Sequence, residues 1–364
     1  MRNMIKVFNV DRQIASMRKE LDEKIEEVIS STSFIGGDRV AKLEQRVEAE
    51  TGVAHCVSCA NGTDALTIAL LALGIGPKDE VITTAFSYIA ATEAIVSVGA
   101  TPVFVDILPT TYGMDLGELE ERITKHTKAI LAVSLFGIPE EYEMINRIAK
   151  NSGLFVIDDA AQAFGSTISD RAIGHHADIT CTSFFPTKPL GCLGDGGAIL
   201  TNQADLARSA RLIANHGQAK KYYHDVVGRN SRLDAIQAAV LEVKMTRYRE
   251  ERARREEIAQ TYDALLSDVV QTLKISDQVQ SAYALYTIQC EFRDELKDHL
   301  ERHGVQSNVY YPVPITNQLP YKQKKGFKNA VTASMTALSI PCDAYMTSGE
   351  VADVTSIVNS FQQY

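Results

Sequence analysis

The chain has 364 residues, 45% of them hydrophobic and 23% charged, enough for a large core and two structural regions in one globular subunit. A net charge of −9, with no long basic run, argues against a nucleic-acid or anionic-membrane partner. The longest apolar stretches are too short and interrupted to span a bilayer. The N-terminus lacks the apolar core of a secretory signal, and six scattered cysteines point to reduced thiols in a cytoplasmic protein.

In chain order, Ile14, Met17, Leu21, Ile25, Val28 and Ile29 recur at helical spacing and predict one helix over 11–31. Phe34-Ile-Gly-Gly37 breaks it. A second helix is expected from Asp38, as N-cap, to Thr51. Cys56 to Cys59 reads as a short buried strand. Its C-x-x-C spacing has no second pair to complete a zinc site, so a structural role is expected. Residues 60–64 form a turn and 65–73 an apolar helix. That strand, glycine turn and helix gather free N–H groups at the positive end of a helix dipole, a seat for a phosphate.

Alternation continues with strands at 80–84, 102–107, 129–135 and 154–157, and helices at 88–98, 116–123 and 140–151. Such alternation implies βαβ units and a mainly parallel sheet. Two further strands are expected at 179–185 and 197–201. His175-His176 is a lone pair in a loop, and no metal site is expected there. The segments around Asn215-His216-Gly217 and 228–232 read as loops. An amphipathic helix at 233–245 is extended by the mixed charge run of 247–257, read as a solvated face. From about 282 the texture becomes smaller α+β: a strand at 283–291, a helix at 294–303, a strand at 305–311 and a last helix at 348–361. The boundary is placed near 245, giving a large domain of residues 1–245 with an N-terminal helical segment and a small C-terminal domain of 246–364.

The stretch from Leu154 to Asn202 organises the chemistry. An apolar run ends in Asp158 and Asp159, and a β-rich run leads into Pro186-Thr187-Lys188-Pro189. Proline fixes φ, lacks an N–H and biases its predecessor towards extended geometry, so Lys188 sits on a stiff loop after a strand. A strand-end carboxylate and a loop lysine suit a pyridoxal phosphate (PLP) site. There the amine attaches the cofactor aldehyde, and the carboxylate keeps the pyridine nitrogen protonated. Taken alone, the two residues are better read as a solvated loop lysine and an ordinary helix-capping carboxylate. However, Thr63, Tyr88, Asp159 and Lys188 all follow strand candidates, and ligands of open α/β sheets bind at the strands' carboxyl ends. Tyr88 could stack on a flat ring or serve as a core aromatic.

With those pieces laid out, the chain resembles the DegT/DnrJ/StrS-type sugar aminotransferases over essentially its whole length. The likeness is carried by FIGGDRVAKLE, ANGTDALTIAL, DEVITTAFSYIAATEAI, GATPVFVDI, DDAAQAFGS, TSFFPTKPLG, GDGGAI, NHG, GRNSRLDAIQAA and YYPVP. The resemblance implies the fold type I (aspartate aminotransferase-like) α/β architecture, PLP as cofactor and a homodimer with shared active sites. It implies Lys188 as the cofactor-bearing lysine and Asp159 as the partner of the pyridine nitrogen. Gln162 would lie near the ring hydroxyl and Tyr88 on the ring. Gly62, Thr63, Asp64 and Ser183 would form the phosphate seat, with Asn230 reaching it from the other subunit. His216, Arg229, Arg232, Tyr310 and Tyr311 match positions near the substrate. Relatives often carry His-Tyr-Pro where this chain has Tyr310-Tyr311-Pro312, which leaves any sugar contact made by that histidine in doubt. The retained Lys188 favours transamination over the dehydration of histidine-bearing members.

Within the family, the likeness is greatest to enzymes that aminate C3 of UDP-2-acetamido-2-deoxy-3-oxo-glucuronate with L-glutamate, for bacterial surface polysaccharide. A 4-keto or 6-deoxy-3-keto nucleotide sugar is the alternative substrate. A non-catalytic sensor or scaffold would have lost the lysine or the carboxylate, and both are present.

Overall fold

The expected alternation closes into a central sheet of seven strands in a computed structural model that describes residues 4–323 and 326–362. Three helices come first: α1 (Val10–Ser16), α2 (Arg18–Ser31) and α3 (Gly37–Thr51). The single helix expected over 11–31 is broken at Met17, which is fully buried at φ −129°. Neither glycine nor proline marks that break; packing of Met17 into the core imposes it. Asp38 is not the N-cap expected of it, because α3 starts one residue earlier, at Gly37, with Gly36 at φ +65° as its N-cap.

The sheet strands are β1 (His55–Cys59), β2 (Glu80–Thr84), β3 (Thr101–Val105), β4 (Thr127–Val133), β5 (Phe155–Asp159), β6 (Ile179–Ser183) and β7 (Gly197–Thr201). Their spatial order is β1-β7-β6-β5-β4-β2-β3. Only β7 runs against its neighbours, so the other six strands point their carboxyl ends to one edge. The connecting helices are α4 (Gly62–Ala72), α5 (Ala90–Ser97), α6 (Leu116–Glu121), α7 (Tyr142–Ser152) and α8 (Ala204–Ala214). Cys56 and Cys59 face opposite sides of β1 and enter two different core clusters, so the pair cannot act together. His175 and His176 each place a ring nitrogen on a backbone carbonyl, at 3.0 and 3.3 Å.

Helix α4 fixes the edge where the strands end. It is apolar nearly all round, and Leu66, Ile68 and Leu70 are 1% exposed or less. Burying those three side chains contributes roughly 5–9 kcal/mol as an upper bound. Its N-terminus is therefore held rigidly beside the ends of β1 and β6.

Past the large sheet come α9 (Ala235–Lys244) and α10 (Tyr248–Leu265), two helices rather than the one continuous helix expected, separated at 245–247. A small sheet follows, of β8 (Gln271–Thr272), β9 (Tyr286–Gln289) and, after α11 (Arg293–Arg302) and α12 (Lys328–Thr336), β10 (Ala337–Ile340). Helix α13 (Ser348–Asn359) ends the fold with a Thr347/Glu350 capping box. The strand expected at 305–311 does not form. Val305 and Asn308 make only isolated bridges, to Ile5 and Ser339. The first residues of the chain thus pack on the last quarter: Ile5 shares a core with Val305, Ile340 and Val354. Among the described residues, no helix is long and apolar enough to cross a membrane.

Candidate active site

One cleft of about 720 Å³ opens at the carboxyl edge of the sheet. It is lined by Gly62, Thr63, Tyr88, Asp159, Gln162, Ser183, Lys188, Tyr310 and Tyr311 together, residues drawn from sequence positions 250 apart. The location is the one that open α/β sheets use for ligands.

The floor is built from strand ends. Asp158 and Asp159 are the last residues of β5, so alternation sends them to opposite faces. Asp159 faces the cleft. Its Oδ1 accepts the Ala161 amide at 3.1 Å, and among the described residues Oδ2 has no donor. Burial raises the Asp159 carboxyl above its ordinary value, against the pull of the Ala161 amide and the Lys188 charge. Asp158 turns into the core, where its Oδ1 accepts from Ser134 Oγ at 2.9 Å. Burial pushes it up to about 7, although Tyr142 and Ser134 hydrogen bonds favour its charged form.

Lys188 follows β6 in a tight turn, its amide donating to Phe185 O at 2.8 Å. Desolvation lowers the lysine below its ordinary value, and the Asp159 charge opposes that. Gln162 is oriented by its surroundings. Its Oε1 accepts the Phe136 amide at 3.0 Å, which turns Nε2 towards the cleft and Tyr311 Oη at 3.3 Å. The Tyr88 ring is 58% exposed and lies 6.1 Å from the Tyr311 ring. The Tyr310 hydroxyl accepts from Asn308 Nδ2 at 3.2 Å.

The other end of the cleft is the N-terminus of α4. Asn61 caps it, accepting the Asp64 amide at 2.8 Å. First-turn amides have no carbonyl a turn earlier to bond, so Gly62 and Thr63 N–H remain available to a ligand while the Asp64 N–H is already used. A Cβ on Gly62 would stand 2.8 Å from Ser183 Cβ, which shows how closely the Ser183 hydroxyl is brought to those amides. Backbone donors, a hydroxyl and a helix dipole make an anion seat. This seat, the buried carboxylate with an open oxygen, the desolvated lysine and the exposed aromatic ring fit the phosphate, pyridine nitrogen, aldehyde and ring face of PLP.

Asn61, Phe8, Phe185, Thr187 and Asp195 also line the cleft, and the sequence reading did not single them out for it. Asn61 carried a signal, an Asn three residues before the amide it caps. Phe8 carried none. Five expected substrate or phosphate positions, Asp64, His216, Arg229, Asn230 and Arg232, do not line the cleft of their own chain. Arg229 Nη1 lies 4.0 Å from Asp64 Oδ1, and Arg232 holds Asn215 and Asn230 Oδ1 at 3.2 and 2.5 Å. His216, at φ +58°, accepts His224 Nδ1 on its carbonyl at 2.9 Å. Asn230 is exposed beside Ser231, whose hydroxyl accepts the Ala60 amide at 3.1 Å.

Residues 15–359 match the model of the DegT/DnrJ/EryC1/StrS aminotransferase family. The chain is 42% identical over 350 residues, 96% of its length and 98% of the relative's, to UDP-2-acetamido-2-deoxy-3-oxo-D-glucuronate aminotransferase of Pseudomonas aeruginosa PAO1. It is 38% identical over 97% of both chains to UDP-N-acetyl-3-dehydro-alpha-D-glucosamine 3-aminotransferase of Acidithiobacillus ferrooxidans. Its structure superposes on S. venezuelae DesV, solved with a ketimine intermediate, with a TM-score of 0.96 over 98% of both chains at 32% identity.

Proposed function

This chain belongs to the DegT/DnrJ/EryC1/StrS aminotransferase family of PLP-dependent enzymes, and on that premise we propose that it carries an amino group from L-glutamate to C3 of UDP-2-acetamido-2-deoxy-3-oxo-glucuronate, for bacterial surface polysaccharide. The observation that carries the site assignment is the convergence of Lys188, Asp159, Gln162, Tyr88, Ser183 and the Gly62–Thr63 amides in one cleft. The substrate rests on the identity to the Pseudomonas enzyme.

When bound, PLP supplies an aldehyde that takes up amino groups and a ring that draws electrons from the carbon losing its proton. The chain's own residues do the rest. Lys188 would hold the cofactor through Nζ, and its free Nζ would serve as the group that takes up and returns a proton. Desolvation serves both tasks by favouring the neutral amine. Asp159, through its open Oδ2, would hold the pyridine nitrogen and keep it positive. Gln162 Nε2 would face the ring hydroxyl, Tyr88 the ring, and the α4 amides with Ser183 would hold the phosphate.

We further assign a homodimer with shared sites. His216, Arg229, Asn230 and Arg232 lie outside the cleft of their own chain, on a segment whose Tyr222, Tyr223, Val226 and Val227 are 78, 65, 47 and 94% exposed. That much exposed apolar surface marks an interface. Arg229 or Arg232 would meet the sugar carboxylate of the neighbouring site. Six unpaired, buried cysteines support a reducing, cytoplasmic setting.

The test is an absorbance titration. L-glutamate should abolish the aldehyde-form band of loaded protein, and the UDP-linked 3-keto uronate alone should restore it. Restoration only by 4-keto or 6-deoxy sugars would keep the enzyme class and remove the substrate. No response to glutamate would remove the donor.

A further inference from the structure

Behind the Lys188 loop lies a second, narrow crevice of about 40 Å³. Its walls are polar: Gln13, Glu251, Arg255, Asp343 and Tyr345 line it. One buried donor of this lining, Arg255 Nη2, has no partner among the described residues, and neither has the buried Asn9 Nδ2, next to Phe8 in the chain. Buried donors without protein partners mark a hydrated space. Phe8, Thr187, Lys188 and Ala284 line both this crevice and the main cleft, so they form the wall between the two. Of the four, only Phe8 carries a large apolar side chain.

Phe8 is not held by the sheet that carries Lys188. It sits on an N-terminal strap bonded to the C-terminal region on both sides of the ring. The Val7 amide donates to Gln306 Oε1 and the Asn9 amide to Asp343 Oδ2, each at 3.1 Å. Ile5 N donates to Gly304 O at 2.8 Å, and Arg12 grips Glu350 with two bonds of 2.8 and 2.6 Å.

We propose that Phe8 is a positioning residue for the transamination, a partition, tied to the C-terminal region, that separates the Lys188 amine from the hydrated polar crevice. This rests on Lys188 being the reactive lysine. The physical reason is dielectric: a solvated amine holds its proton and attacks slowly, whereas a desolvated one gives the proton up. Lys188 is partly buried in the wall between the two spaces, and that burial lowers its amine below the ordinary value. On the cleft side it faces Asp159 from β5, together with Tyr88, Tyr311 and Asp195. On the crevice side the charged groups are Glu251 and Arg255 from α10, and Asp343. Removing the ring would join the two spaces. Water and the Glu251 and Asp343 carboxylates would then act on Nζ and favour the ammonium, against the single opposing charge of Arg255.

The test labels amines of the full-length, cofactor-free chain with acetic anhydride across a pH series and reads Lys188 by peptide mass mapping. The unsubstituted protein should give a Lys188 midpoint below the ordinary lysine range. Phe8→Ala and Phe8→Gln should raise it by about half a unit or more, and Phe8→Leu should not. Phe8→Gln keeps the volume while admitting polarity, so it serves if Phe8→Ala is poorly folded. An unchanged midpoint in folded Phe8→Ala and Phe8→Gln overturns the proposal. An ordinary midpoint already in the unsubstituted protein overturns instead the reading of Lys188 on which it rests.

Discussion

Replacing Asp159 with Asn isolates the electrostatic part of the mechanism. The amide can still accept the Ala161 N–H through Oδ1, now 3.1 Å away, so local geometry should persist while the negative charge disappears. A hydrogen bond to a charged group is worth about 1.5–3 kcal/mol, and unit charges about 4 Å apart at an effective dielectric of about 20 interact by about 4 kcal/mol. At 1.36 kcal/mol per tenfold, the glutamate half-reaction should slow by roughly tenfold to a thousandfold. Stopped-flow absorbance of loaded protein mixed with glutamate measures it directly. Folding should not suffer, because burial already disfavours the native charge. Lys188 should titrate lower still, since Asp159 is the charge that holds it up. A rate within threefold of the unsubstituted enzyme, in variant shown to be loaded with PLP, would refute the role of this carboxylate.

Asp158 gives a different signature. Its folded carboxyl is raised to about 7, so the folded state holds a proton that the unfolded chain releases near pH 4. Stability of the cofactor-free protein should therefore fall as pH rises from about 4 to about 7, by up to about 4 kcal/mol. Asp158→Asn should flatten that fall in urea titrations. The residual slope belongs to neighbouring Glu140, raised by burial to about 8, and to Asp159, which burial also raises. A fall just as steep in Asp158→Asn would contradict this account. Gly62→Ala should weaken PLP binding about tenfold or more, read by fluorescence titration, because the new Cβ would force Ser183 away from the α4 amides. Unchanged affinity would remove Gly62 and Ser183 from the phosphate seat. Gly165→Ala drives a Cβ into buried Tyr248 Oη at φ +87°, and should lower the melting temperature by more than about 5 °C. A melt within about 1 °C would contradict the packing described there.

Much of the site was legible because its chemistry sits at strand ends, and strand ends follow from hydrophobic runs. Period-two alternation states that Asp158 and Asp159 face opposite ways; only the assembled sheet states which one meets the cleft. Prolines on both sides of Lys188 announced its loop. The Asn61 cap is visible as an Asx signal, yet the apolar run beginning at Ala65 draws the helix start three residues late. Helix α8 was absent from the expected elements, since Gln203 gives it no side-chain cap to announce its start. The break at Met17 and the failed strand at 305–311 come from tertiary contacts between the two ends of the chain, which local pattern does not contain. Phe8 is the extreme case, as its neighbours' partners lie about 300 residues away. The residues from 216 to 232 show a further limit, because one chain does not hold what they are proposed to reach.

The most direct test of the central claim is to reduce PLP-loaded protein with borohydride and map the modified peptide. The account predicts one stoichiometric modification, on Lys188 in the segment TSFFPTKPLG. Modification spread over surface lysines, or placed on another buried lysine such as Lys244, would contradict it.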